Sequence, residues 1–125
     1  MTNYLCVAIG GGVGSLVRYL IGRVITQLHP NSFFAWGTFC INVTGSFLIG
    51  LLMTLLVEKL RVPHYWQLTL VVGFLGGYTT FSSFEYDALL AARNGHALVC
   101  VLYLVGSVVA GYGAVWLGSS LVSRH

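Results

Sequence analysis

Charge is what this chain has least of. Nine of its 125 residues are Asp, Glu, Lys or Arg, 7% of the total, where a soluble domain carries about 25%. That scarcity excludes an ordinary water-facing surface. The six basic residues are scattered, so the net charge of +3 marks no nucleic-acid-binding patch. Three carboxylates, Glu58, Glu85 and Asp87, fall at or beyond the ends of apolar stretches. A small proton-coupled exporter of the multidrug type, the alternative reading, needs one inside the membrane. Cys6, Cys40 and Cys100 are isolated, without the spacing of a metal site or a disulfide framework. His29, His64, His96 and His125 fall one to a region, and no nucleophile has a base at hand, so an enzyme is not expected. The first apolar stretch also lacks a basic leader and a small-residue cleavage site, and it is expected to be retained.

What remains is apolar: 57% hydrophobic residues and a mean hydropathy of +0.85. No charge occurs from Met1 to Val17, Val24 to Val57, Val62 to Phe84 or Asn94 to Ser123. Each gap accommodates a membrane helix of about 20 residues. The pattern predicts an all-α integral membrane protein, a single four-helix domain over 1–125, with spans at 4–26, 33–57, 65–90 and 97–122. Pro30-Asn31, Pro63 and Arg93-Asn94-Gly95 punctuate the connections. Trp36, Tyr65, Trp66 and Trp116 sit near span ends, where amphipathic rings anchor to the bilayer interface. The basic residues split almost evenly: Lys59, Arg61 and Arg124 on one side, Arg18, Arg23 and Arg93 on the other. With no positive-inside bias, insertion in both orientations is expected. Four short helices enclose little space, so a passage calls for an antiparallel homodimer whose two-fold axis lies in the membrane plane.

Three polar features interrupt the spans. Gly76-Gly77-Tyr78-Thr79-Thr80-Phe81-Ser82-Ser83-Phe84 places two glycines and four Thr or Ser hydroxyls at bilayer depth, where loosened backbone is tolerated only against protein or a polar passage. A broken third helix is expected there, its freed carbonyls open to a cation, although glycines that merely permit close packing explain the same residues. Asn42 is either interhelical glue or an amide donor for a permeating anion. Phe81 and Phe84 share one helical face and Thr80 and Ser83 another, and rings presented edge-on favour a small anion. At about 1.5 Å per residue, Asn42, Gly76 and Ser107 all lie near mid-bilayer. Gly10 and Gly14, Gly73 and Gly77, and small residues from Ser107 to Gly118 are spaced as close-packing faces.

Three of these stretches, Gly11–Tyr19, Gly37–Phe47 and Gly73–Phe84, closely resemble the Fluc/CrcB fluoride channels. The resemblance spans the chain. It implies a dual-topology antiparallel homodimer with two pores, passive export of fluoride and resistance to it, in the inner membrane of a bacterial cell. It further implies Asn42 as the pore amide, Phe81 and Phe84 as ring-edge anion sites, Ser82 and Ser83 as a hydroxyl track, and Tyr103 with Ser107 as a polar pair on the last helix. A structural sodium ion is implied at the dimer centre, held by the backbone carbonyls of Gly76 and Thr79 from both subunits. Arg18 matches a motif arginine, expected either to raise anion concentration at a vestibule or to pair with Glu85 or Asp87, the pairing being favoured.

Overall fold

The computed structural model describes all 125 residues. Helix α1 runs Thr2–Leu28, and α2 runs Trp36–Leu52 and continues as the π-helix Met53–Lys59. A third segment joins α3 (His64–Gln67), a second π-helix (Leu68–Leu75) and α4 (Gly76–Tyr78). Then follow α5 (Ser82–Arg93) and α6 (Ala97–Ser123), and no strand occurs. Three helices, Thr2–Leu28, Trp36–Lys59 and Ala97–Ser123, are long and apolar enough to cross a membrane.

The connections form where the sequence placed them. Pro63 caps α3 with an extended backbone (φ −52°, ψ 144°), its missing N–H costing nothing at a helix start. After α5, Gly95 adopts φ 82°. Its N–H reaches the carbonyl of Ala92 at 3.1 Å, and the His96 N–H reaches that of Ala91 at 2.9 Å. This paired closure needs a left-handed residue, which glycine supplies without strain.

Only 16 residues are buried. Six of them form two small clusters, Ile41 with Leu75 and Tyr78, and Phe84 with Ala88 and Tyr103. Most large apolar side chains face outward, among them Ile9, Val105, Val108 and Tyr112, as suits a chain whose solvent is lipid. Helices therefore meet through backbone. A Cβ on Gly10 would strike the carbonyl oxygen of Thr69, and one on Gly14 that of Phe74. The same holds for Gly50 against Val115 and Gly118 against Phe47. These approaches seat α1 on the third segment and α2 on α6, the small-residue packing used where no hydrophobic drive separates helix from lipid.

Candidate functional site

The third segment stays helical through the glycine pair and leaves the helix two residues later. Thr79 is extended (φ −83°, ψ 159°), and helix resumes at Ser82. The glycines have other duties. A Cβ on Gly77 would strike the carbonyl of Gly11, whereas Gly76 faces open space. Gly77 is thus a packing residue and Gly76 an exposed one, and the departure comes where an outside partner compensates it.

That partner is Asn42. Its Nδ2 donates to the Thr80 carbonyl at 2.8 Å and its Oδ1 accepts from the Thr80 N–H at 2.9 Å. The amide replaces both helical bonds that Thr80 has lost, leaving one amide hydrogen unspent. Asn42 is therefore interhelical glue, with one N–H left to face the cavity. Arg18 supplies a second clamp, its Nε donating to the Gly77 carbonyl at 3.0 Å. The expected pairing of Arg18 with Glu85 or Asp87 is not formed, because this orphaned carbonyl lies within its reach. Asp87 is engaged elsewhere: its Oδ2 accepts from the Thr38 hydroxyl at 2.7 Å and from the Tyr103 hydroxyl at 3.3 Å. No hydrogen bond reaches the carbonyl oxygens of Gly76 and Thr79, although both residues line the cavity described next.

Two cavities flank the break. The first, about 620 Å³, is lined by Asn42, Gly76, Thr79, Thr80, Phe81, Phe84 and Ser107 amid aliphatic side chains of α2, the third segment and α6. The three residues expected at one depth, Asn42, Gly76 and Ser107, meet here. Ser107 Oγ is buried without a hydrogen-bond partner in the protein, so its hydroxyl remains free to donate. Phe81 and Phe84 stand with ring centroids 6.0 Å apart. Phe84 is buried against Tyr103 (5.1 Å between centroids) and Phe81 is 70% exposed. The second cavity, about 520 Å³, is a polar funnel lined by Ser15, Arg18, Tyr19, Arg23, Thr26 and Gln27 of α1 together with Thr38, Thr80 and Ser83. No Lys or Arg lines the first cavity and two arginines line the second.

The candidate residues thus separate into groups. Asn42, Phe81, Phe84, Ser107, Gly76 and Thr79 share one cavity, and Arg18 and Ser83 share the other. Tyr103, 1% exposed, packs on Phe84 and lines neither. Ser82 is exposed and outside both. Asp87 stands in the sequence at the end of an apolar stretch, and no local spacing signals its partners, since Thr38 lies 49 residues and Tyr103 16 residues away along the chain.

The chain matches the CrcB-like protein family (Camphor Resistance, CrcB) over residues 5–119. Among curated relatives, a fluoride-specific ion channel FluC of Solibacter usitatus is 53% identical over 122 residues, covering 98% of this chain and 99% of the relative. One of Hydrogenobaculum sp. is 48% identical over 119 residues, covering 95% of this chain and 96% of the relative. One of Acidobacterium capsulatum is 46% identical over 122 residues, covering 98% of this chain and 97% of the relative.

Proposed function

The chain belongs to the CrcB-like family, and from that premise we propose that it is a fluoride-selective channel, passively exporting the ion across the bacterial inner membrane and conferring fluoride resistance. It is not an enzyme. The observation that carries the reading is the cavity at the break, whose lining holds no charged side chain: the Asn42 amide with its spare hydrogen and the unpartnered Ser107 hydroxyl stand there with the rings of Phe81 and Phe84. Fluoride holds its water tightly, so a passage must replace that shell with donors yet release the ion again, and neutral groups meet both demands. Arg18 and Arg23 stand back in the funnel, where they raise anion concentration without trapping the ion.

The third segment together with α5 forms the fourth crossing, broken at Thr79–Phe81. A second copy, inserted upside down, covers the face on which Phe81 is exposed, giving an antiparallel homodimer with two pores. The free carbonyls of Gly76 and Thr79 fit a hard monovalent cation, because oxygen is the donor type that sodium prefers and no protein group claims them. From both subunits these carbonyls would hold sodium, whose positive charge would steady the freed backbone.

Purified protein in vesicles loaded with fluoride, with a potassium ionophore balancing charge, is expected to release fluoride rapidly without a proton gradient. Chloride released equally fast would reject the selectivity, and strict dependence on a proton gradient would favour the multidrug-type exporter.

A further inference from the structure

One residue lines both cavities: Thr80. On its funnel side stand Arg18, Thr38 and Ser83, and on its other side Asn42, Phe81, Phe84 and Ser107. Its backbone cannot drift, because Asn42 holds both its N–H and its carbonyl. Its hydroxyl oxygen accepts from the Ser83 N–H at 3.3 Å. Its hydroxyl proton is given to no acceptor in the protein, since the other hydrogen bonds at this residue are the two to Asn42. A fixed, half-buried residue with a spare donor thus forms the wall between a wet, basic funnel and an apolar cavity.

We propose that Thr80 is a specificity-determining residue of the channel, its hydroxyl handing the anion from the funnel to the ring-edge cavity while its methyl group narrows the neck. The inference rests on the fluoride-channel reading above. An ion shedding water in the funnel passes from the side of Ser83 to that of Asn42, Phe81 and Phe84, with Thr80 standing between them. Thr80 is the one side chain placed to donate from both sides. The methyl group gives the hand-over its size limit, because chloride is larger and gains less from one short hydrogen bond.

Thr80→Val and Thr80→Ser separate the two contributions. Valine keeps the shape and the backbone amide that Asn42 grips, but it has no hydroxyl. Fluoride release from vesicles is expected to fall about tenfold, as for one lost hydrogen bond to a charged group. Serine keeps the donor and drops the methyl group, so fluoride release should stay within about threefold while chloride leak rises. A residue serving only to cap α5 through Ser83 would lower the melting temperature and leave the fluoride-to-chloride ratio unchanged, and that outcome overturns the proposal. So does wild-type fluoride release by Thr80→Val. Should the valine variant fail to assemble, Thr80→Ala against Thr80→Ser decides, equal fluoride rates counting against the proposal. Wild-type protein that releases no fluoride sinks the channel reading itself, which distinguishes the two failures.

Discussion

Asn42→Asp is expected to reduce fluoride release by about 100-fold or more. The substitution is nearly isosteric, yet it changes the site twice. The acceptor for the Thr80 N–H survives, while the donor to the Thr80 carbonyl is replaced by oxygen facing oxygen across what is now a 2.8 Å hydrogen bond. A fixed negative charge also enters the path of an anion. Like charges about 4 Å apart at an effective dielectric near 20 repel by about 4 kcal/mol, or nearly three decades in occupancy. A fluoride electrode on reconstituted vesicles reads the effect, and size-exclusion chromatography shows whether the dimer still assembles. Release at wild-type rate by an assembled variant contradicts the pore role proposed for Asn42.

Phe81→Ile is the cleaner probe of the rings. Phe84 is buried on Tyr103, so changing it also disturbs a core. Phe81 is 70% exposed within the subunit, so little internal packing is lost when it changes. Isoleucine keeps the apolar bulk and removes the positive ring edge, which is the property invoked for the anion. The expected loss is roughly tenfold to 100-fold in fluoride release, with unchanged yield and melting temperature. Unaltered release contradicts the ring-edge role proposed for Phe81.

Much of this was legible in the chain because bilayer burial leaves a coarse signature. Three of the four charge-free runs fall on the helices long and apolar enough to cross a membrane, and Pro63 and Gly95 mark two of the connections, each for a local backbone reason. The shared depth of Asn42, Gly76 and Ser107 followed from helical rise alone, and all three line one cavity. The close approach of Gly10 and Gly14 to the third segment followed from spacing.

What was not legible depends on partners from other helices. The glycine pair drew attention as the place of the break, yet the backbone departs at Thr79, because Gly77 is pressed on Gly11 and the compensating amide of Asn42 lies opposite Thr80. Arg18 was expected to seek a carboxylate. It found a carbonyl that the break had released, and Asp87 was already held by two hydroxyls. The π-helical turns at Met53–Lys59 and Leu68–Leu75 have no distinctive residue of their own. Tyr103 and Ser107 share one face of α6 at successive turns, but Tyr103 is covered by Phe34 and Phe84 while Ser107 reaches the cavity.

In the proposed assembly a second, inverted copy closes the face that one chain leaves open around Gly76 and Phe81, both exposed. A single cysteine added after His125, in a background with Cys6, Cys40 and Cys100 replaced by alanine, places a reporter on one membrane side per chain. In intact spheroplasts, a membrane-impermeant thiol reagent is expected to label about half the molecules from outside and the remainder after lysis. Labelling of every molecule from one side only would contradict the inverted assembly.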